Sequence, residues 1–309
     1  MSTLADKKRT APIRCWICRS NETVAWKRRS IGLPLVPADL KITDSRYGLT
    51  LALRKCRHCG FIFADGQEVE ELTFLYERMS DVAYEHSQES RVLQMRYLLH
   101  AAQNANPKAA SVLDIGAGLG VLVAEARRLG FDAVGIEPCH AFVESATRVN
   151  GVEILHGLFP HPALASRKFD LIFLVDVIEH VADPLKLLRC SAESLSSDGL
   201  LVIVTPDVGS IAAKLLGQRW WHMRLAHVGY FDQNSLQVAI EKSGLTIVSQ
   251  ARAKWFFSIR YIFERLATYL PVEWLNRCEP RIRLLGWLYD QVIPLNLHDS
   301  FLAFARRAG

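Results

Sequence analysis

Short apolar runs alternate with amphipathic stretches from Ser111 onwards in this 309-residue chain. The runs have the length of buried strands, and the stretches between them place apolar residues every three to four positions, as helices do. Strands are predicted at 112–115, 133–136, 152–155, 169–175, 200–204 and 301–304, and helices at 119–129, 140–149, 183–195 and 234–243. The alternation predicts an α/β fold, a parallel sheet with helices on both faces that binds ligands at the carboxyl ends of its strands.

The segments on either side of this pattern have a different character. Residues 67–108 carry apolar side chains at helical spacing and predict a helical connector, whereas the runs at 23–26 and 49–53 predict short strands ahead of it. An apolar stripe at 255–270 predicts a further amphipathic helix. We therefore expect an N-terminal module at 1–66, a helical connector at 67–108, and a domain at 109–309 with a helical insertion at 252–299.

Composition and charge narrow the class of protein. Hydrophobic residues make up 50% of the chain and charged residues 22%, which is typical of a globular protein and excludes a disordered or low-complexity chain. No run of 18 uncharged apolar residues and no signal-peptide pattern occurs, so we expect a cytoplasmic protein. The net charge of +5 divides unevenly, with +9 over residues 1–60, −8 over 61–251 and +4 over 252–309. The basic ends suit anionic partners.

Four of the seven cysteines form two Cys-x-x-Cys pairs, Cys15 with Cys18 and Cys56 with Cys59. Disulfides do not persist in the cytoplasm, so close cysteine pairs there indicate a metal site or, as the alternative, a redox couple. Four thiolates suit tetrahedral zinc and leave no open position, which predicts a structural zinc ribbon. As a separate module, the ribbon would unfold on chelation while the rest of the chain survived.

A glycine-rich loop follows the first predicted strand of the α/β region, in the segment Asp114-Ile115-Gly116-Ala117-Gly118-Leu119-Gly120. The third glycine arrives one residue too early for a dinucleotide fingerprint, which disfavours NAD. Asp114 suits a ligand with an ammonium group, and Glu137, at the end of the next strand, suits the two hydroxyls of a ribose. A ligand with an amino acid at one end and a nucleoside at the other satisfies both carboxylates.

These residues resemble the class I S-adenosylmethionine-dependent methyltransferases over most of 109–251, and the run Asp176-Val177-Ile178-Glu179-His180-Val181 resembles their fourth-strand motif in the small-molecule and ubiquinone-type branch. The resemblance implies a doubly wound, mostly parallel seven-stranded sheet and S-adenosylmethionine as cofactor. It also implies cofactor contacts from Asp114, Gly116, Ala117, Gly118, Gly120, Glu137, Pro138, Leu158 and Asp176. A catalytically dead scaffold on the same fold is one alternative, which the intact loop and carboxylates disfavour.

The methyl acceptor is less defined. No Pro-Pro-Tyr or Pro-Pro-Phe follows the fourth strand, which disfavours base amines, and no cysteine is placed for attack on cytosine, so oxygen, carbon and ring nitrogen remain. Transfer to a hydroxyl or carbon needs a base, for which His180 and His227 are the candidates. Trp220, Trp221 and Tyr230 are predicted walls of the acceptor pocket.

A zinc ribbon ahead of a methyltransferase core resembles the sugar C-methyltransferases and related bacterial enzymes. It implies methyl transfer to an oxygen or carbon of a small molecule, such as a sugar, a polysaccharide precursor or a natural product. The rival hypothesis is a ribosomal RNA methyltransferase with a zinc module, although nucleic acid is the less favoured partner. Its support is a set of basic residues that suit phosphates: Lys27, Arg28, Arg29, Arg54, Lys55 and Arg57.

The insertion at 252–299 generates a prediction about membranes. Its apolar stripe is flanked by basic residues, a combination that can lie in a membrane interface, whereas a lid over the acceptor or a dimer contact is the alternative. Our hypothesis is that the insertion covers the acceptor and touches the inner face of a membrane. The protein should therefore sediment with anionic liposomes at moderate salt. If the protein stays in the supernatant, the membrane contact is excluded, and only the lid or the dimer contact remains as an explanation of the insertion.

Overall fold

The computed structural model describes residues 13–43, 46–66, 68–85, 88–267, 269 and 286–308. The strands are β1 (Thr23–Lys27), β2 (Leu53–Cys56), β3 (Ile62–Ala64), β4 (Ser111–Ile115), β5 (Asp132–Glu137), β6 (Leu155–His156), β7 (Phe169–Val175), β8 (Leu195–Pro206), β9 (Gly229–Tyr230), β10 (Leu245–Arg252), β11 (Trp255–Ser258), β12 (Val292–Leu295) and β13 (Ser300–Arg307). The helices are α1 (Glu68–Glu77), α2 (Val82–Glu85), α3 (Gln88–Ala105), α4 (Val121–Arg128), α5 (His140–Asn150), α6 (Pro184–Ser194), α7 (Ile211–Leu216), α8 (Gln233–Glu241), α9 (Ile259–Ala267) and α10 (Gly286–Tyr289).

A seven-stranded sheet in the order β10-β13-β8-β7-β4-β5-β6 forms the centre of the fold. The pairs from β8 to β6 are parallel, and β13 runs antiparallel to both β8 and β10. The buried apolar side chains of β4, β7 and β8 pack into two core clusters, which explains why these strands are nearly continuous apolar runs. The predicted doubly wound, mostly parallel seven-stranded sheet is confirmed.

The strand order reverses beside β4, which lies between β5 and β7. Ligands of open α/β sheets bind at such a switch point, in the crevice outside the carboxyl ends of the strands. The segments that leave these three strands, 116–120, 138–140 and 176–180, therefore begin at one edge of the sheet.

Three local predictions differ from the structure. The strand predicted at 152–155 is reduced to Leu155–His156, because the side chains of Val152 and Ile154 pack against the glycine loop, within 3.5 Å of where a Cβ at Gly120 would lie. The strand predicted at 49–53 forms later, as β2. In the insertion, the helix begins only at Ile259, and the preceding segment is β11, which pairs with β12 in an antiparallel hairpin.

Several residues assigned to the predicted insertion lie outside the described residues. They are Leu270, Trp274, Arg277, Arg281 and Arg283. Trp287 is described, on α10, where it is 70% exposed. Within the described ranges, no helix has both the length and the apolar character needed to cross a bilayer.

The N-terminal cysteines belong to a second sheet, in the order β1-β2-β3-β9. Strand β9 comes from the region after β8, and it pairs with β3 through Ile62 opposite Tyr230 and Phe63 opposite Gly229. Cys15, Cys56 and Cys59 share one buried core cluster with the parallel sheet. This continuous core differs from the separate module expected from the sequence, and the domain limits stay a prediction.

Candidate active site

The glycine loop adopts a backbone that other residues rarely take. Gly116, Gly118 and Gly120 have φ of +75°, +52° and +70°, in the left-handed region. A Cβ at Gly116 would lie 2.6 Å from Cγ2 of Val177, so the loop after β4 touches the turn after β7. The amides of Gly116 and Ala117 donate to the carbonyl of Ile136 on β5. The loop is thus held between the two neighbouring strand ends.

Two buried carboxylates lie at the carboxyl ends of β4 and β5, beside this loop. Asp114 is 4% exposed and Glu137 is 1% exposed. Glu137 accepts hydrogen bonds from the amides of Gly118, at 2.9 Å, and Cys139, at 2.8 Å, and from the hydroxyl of Tyr76. A carboxylate has about four acceptor positions, so room for a ribose hydroxyl remains. This donor and acceptor set fits the amino-acid and ribose ends of S-adenosylmethionine.

Two tyrosines from the connector lie over the cofactor loop, and sequence reasoning missed them. Tyr76 on α1 bonds to Glu137, and the hydroxyl of Tyr84 on α2 lies 3.4 Å from the position of a Cβ at Gly118. The guanidinium of Arg91 stacks 3.3 Å above the Tyr84 ring. The aromatic residues at helical spacing in 67–108 were the only available signal, because their position above the loop depends on tertiary packing.

The turn after β7 brings a second group of ionisable side chains to the same edge. Asp176 has φ +53°, and Glu179 and His180 follow on a 3-10 turn, Ile178–His180. Glu179 accepts from the hydroxyl of Thr205 at 3.0 Å through Oε2. The Nδ1–H of His180 donates to the carbonyl of Ala226 at 2.8 Å, which leaves Nε2 to carry the ring's lone pair.

His227 lies beside His180, with the ring centroids 4.7 Å apart and the planes at 89°. It is 7% exposed. Within the described ranges, three buried polar atoms of this group have no hydrogen-bond partner: Asp176 Oδ1, Glu179 Oε1 and His227 Nδ1. Buried polar atoms are normally satisfied, so unsatisfied atoms at a strand edge indicate a place that a ligand completes.

The predicted aromatic walls have different positions. Trp220 is fully buried, and its indole N–H donates to Asp299 at 3.2 Å, so it is a core side chain with no face on a cleft. Trp221 is half-buried and also donates to Asp299. Tyr230 is buried on β9, with its ring centroid 6.1 Å from that of His227. Tyr230 therefore remains the best-placed aromatic neighbour of the histidines.

Asp299 and His222 extend the group, and neither was predicted as a site residue. Asp299 is 2% exposed and lies 3.6 Å from Nε2 of His222, whose ring stacks 5.8 Å from that of His227. Asp299 immediately precedes the last strand, and that strand-end position was the only signal in the sequence.

Burial shifts the pKa values of the carboxyl and imidazole groups at this edge of the sheet. It raises the pKa of Asp114, Glu137 and Asp176 each to about 7, and that of Glu179 well above its usual range. For Asp114 the neighbouring Glu137 charge adds to the effect. Burial lowers the pKa of His180 to about 4 and of His222 to about 3, and holds the pKa of His227 well below its ordinary value. The imidazoles are therefore neutral at pH 7 and able to accept a proton.

The four ribbon cysteines come together as the sequence predicted. Their sulfur atoms all lie within 4.8 Å of one another, with Cys15 and Cys59 3.6 Å apart and Cys18 and Cys56 3.4 Å apart. A zinc tetrahedron with bonds of about 2.3 Å has sulfur atoms roughly 3.8 Å apart. The cluster therefore fits zinc. Glu179, His180 and His227 form a second group with donor atoms within 4.8 Å, of the types that bind divalent cations.

The remaining predicted cofactor residues are Ala117, Pro138 and Leu158. Ala117 is a buried residue of the glycine loop, and the carbonyl of Pro138, directly after β5, bonds to Nε2 of His156 at 3.1 Å. Leu158 follows β6 and is 52% exposed, next to Gly157 with φ +141°.

Comparison with known proteins agrees with this geometry. A family defined as the methyltransferase domain matches residues 84–250. The ubiquinone biosynthesis O-methyltransferase of Azorhizobium caulinodans is 31% identical over 144 residues, which are 43% of this chain and 57% of that protein. The protein of the same description from Cereibacter sphaeroides ATCC 17025 is 31% identical over 151 residues, 45% of this chain and 61% of that protein. The matched part thus spans about 60% of these relatives.

Among solved structures, a chain of the complex between the Haloferax volcanii Trm112 methyltransferase activator and a methyltransferase superposes with a TM-score of 0.50. The match covers 74% of this chain and 95% of that chain at 13% identity, which supports the fold alone.

The seven-stranded sheet and the glycine loop after its switch point form the α/β fold of a methyltransferase domain. The chain belongs to the methyltransferase-domain family, whose match covers more than half of its length.

The buried carboxylates predict a pH dependence of cofactor binding. An ammonium group and ribose hydroxyls favour ionised carboxylates, but Asp114 and Glu137 have pKa values raised to about 7. Affinity for S-adenosylhomocysteine should therefore rise with pH, by about tenfold per carboxylate between pH 6 and pH 8. Calorimetric titration with S-adenosylhomocysteine at pH 6 and at pH 8 measures this affinity. Glu137→Gln should bind about 10- to 100-fold more weakly at pH 8 and show a shallower dependence; equal affinity at both pH values in the unmodified protein would contradict the assignment.

The cysteine cluster predicts one zinc ion per chain. Metal analysis of protein purified without chelators should find a stoichiometry of about one, reduced severalfold by Cys59→Ser, because the tetrahedron loses a thiolate. Cys190→Ser is the matched control, since Cys190 lies outside the cluster. Zinc-free protein from such a preparation would refute the site.

Proposed function

We propose that the protein transfers the methyl group of S-adenosylmethionine to a hydroxyl oxygen of a small molecule, with the ribbon holding structural zinc. The observation that carries the proposal is the pair of neutral, buried imidazoles of His180 and His227, next to unsatisfied carboxylate oxygens on a turn that contacts the glycine loop through Val177. The names of the two similar O-methyltransferases favour oxygen over carbon.

The roles follow from the positions of the side chains. The cofactor supplies a methyl group on a positively charged sulfur, and Asp114 and Glu137 hold its amino-acid and ribose ends. An acceptor hydroxyl must lose a proton as its oxygen attacks, and His180 or His227 takes that proton. Because His180 donates through Nδ1 to Ala226, its Nε2 is the basic atom, whereas Nδ1 of His227 is unpartnered. Glu179 stabilises the resulting imidazolium.

Burial of Asp176 and Glu179 also ties protonation to ligand binding. A cation that enters the crevice favours the ionised form of each carboxyl group. A carboxylate beside His180 or His227 in turn raises the proton affinity of the imidazole. Asp176 and Glu179 are therefore more ionised when the cationic cofactor is present, and each carboxylate then offsets part of the cost of burying a protonated imidazole.

The RNA alternative loses part of its basis, because half of its candidate phosphate contacts have partners within the chain. Lys27 is 7% exposed and donates to Ser30 and the carbonyl of Gly48. Arg29 pairs with Glu68, and Arg54 pairs with Asp65. A small-molecule acceptor therefore remains our choice, with sugars as one class to test.

Radiolabelled S-adenosylmethionine tests this function against a panel of phenolic hydroxyls, nucleotide sugars, RNA and no acceptor. Label in a phenolic or sugar product supports the proposal, and the methylated position distinguishes oxygen from carbon. Label in RNA alone, or cofactor binding with no transfer to any acceptor class, would contradict it.

The histidines give a residue-level prediction. His227→Ala should lower kcat by about 10²- to 10⁴-fold, the usual contribution of a general base, while S-adenosylhomocysteine affinity stays within about threefold. His180→Ala should behave similarly, with an additional loss from the broken bond to Ala226. His100→Ala on the exposed face of α3 is the matched control. Full activity in both His180 and His227 variants would exclude them as bases.

A further inference from the structure

Residues 226–231 contain His227 and are called the histidine segment here. The backbone of this segment makes hydrogen bonds on both of its sides. The amide of Val228 donates to the carbonyl of Glu179 at 2.9 Å, and the carbonyl of Val228 accepts from the amide of Ala64 at 2.8 Å. Ala64 ends β3, which follows directly from the second cysteine pair. Val228, the residue next to His227, is therefore held between the turn Ile178–His180 and the β1-β2-β3-β9 sheet, which carries Cys56 and is called the cysteine-bearing sheet below.

The side chains of the ribbon contact the same segment. Phe61, which is fully buried, approaches so closely that a Cβ at Gly229 would lie 2.9 Å from its Cζ. Its ring centroid is 4.7 Å from that of Phe231. Trp16, between Cys15 and Cys18, packs against Phe61 at 6.2 Å between centroids. The first cysteine pair is thus connected to the histidine segment through two layers of aromatic rings.

A polar contact joins the second pair directly to the element that follows. The side-chain amide of Asn234 on α8 donates to the carbonyl of Cys59 at 2.9 Å. A Cβ at Gly60 would lie 2.4 Å from the carboxylate of Asp232, which caps α8, so only glycine permits this approach. The cysteine turn therefore contacts the start of α8, directly after β9 in the chain.

The two carboxylates that are proposed to bind the cofactor are held by other elements of the fold. Asp114 and Glu137 extend from β4 and β5, and their loop is bonded to Ile136 and to Glu137 itself. The ribbon reaches these carboxylates only through the apolar packing of the shared core, whereas it reaches the segment of His227 through backbone hydrogen bonds. A change in the ribbon should therefore move the acceptor side more than the cofactor carboxylates.

We infer that the four-cysteine centre acts as a positioning element for the acceptor-side histidines, so that metal occupancy sets the geometry of His227 while the carboxylates of the cofactor side keep theirs. The inference rests on the proposed function for the role of His227. Phe61 and Asn234 are its positioning residues, because each acts on His227 through the backbone of 226–231.

Hydrogen–deuterium exchange of the full chain tests the inference without an acceptor. Removal of zinc, checked by metal analysis, should reduce protection of peptides over 226–231 by about tenfold or more, with peptides over 112–118 and 133–137 within about twofold. The inference is overturned if 226–231 keeps its protection, or if all three regions lose protection equally, because the metal would then support the whole fold.

Two variants extend the test to the metal-loaded protein. Asn234→Ala and Phe61→Leu should keep about one zinc per chain and bind S-adenosylhomocysteine within about threefold, but exchange faster at 226–231 and lower kcat more than KM for the cofactor. Gln233→Ala is the matched control, because Gln233 is the neighbouring amide and bonds to Gln250 instead. Unchanged exchange at 226–231 in both variants would refute the inference.

The outcomes separate the two proposals. Zinc-loaded protein that binds no S-adenosylhomocysteine contradicts the proposed function. The response of 226–231 to zinc removal still decides the positioning role, since exchange is measured without any ligand.

Discussion

The protonation of the site depends on one constraint, the free-energy cost of burying ionised side chains. Asp114, Glu137, Glu179 and His227 are each less than a tenth exposed, and the strands that carry or precede the three acids pack into two apolar clusters. A charged group in such surroundings is unfavourable unless it is paired, so burial raises the pKa of the acids and lowers the pKa of the imidazoles. The carboxyl groups with a pKa of about 7 are only partly ionised at pH 7, so a cation that enters the site favours their further ionisation.

The parallel sheet holds these buried ionisable side chains in fixed positions. Its central strands are buried on both faces and pack into two apolar clusters, which fix the positions of the strand ends. Strands β4 and β5 carry the carboxylates of the cofactor side, and β7 carries the turn with Glu179 and His180. Because the Gly116 loop touches Val177, the two halves of the site are in direct contact across the switch point.

Sequence reasoning was reliable where the signal was local. The period of the apolar residues predicted β4, β5 and β7, and the two Cys-x-x-Cys pairs predicted a cluster that does assemble. The prediction of a helix was wrong at Trp255, Phe256 and Phe257, which form β11. A short apolar run fits both the helical and the strand period, and aromatic residues favour strands. Asp299 and Tyr76 could not be assigned, because each reaches the site from a distant part of the chain through packing alone. Trp220 was predicted to line a pocket because it lies between the fifth predicted strand of the α/β region and the next predicted helix and is aromatic, whereas packing buries it fully against Asp299.

The chemistry of the histidines depends on backbone positions that come from outside their own strands. A hydrogen bond to the carbonyl of Ala226 selects the tautomer of His180, so the location of that carbonyl decides which ring nitrogen is basic. Ala226 belongs to the same segment as His227 and Val228, and Val228 is bonded to both Glu179 and Ala64. A shift of β3 would move this carbonyl relative to the turn that carries His180. The tautomer of His180, and with it the ring nitrogen that carries the lone pair, thus depends on the pairing between β3 and β9.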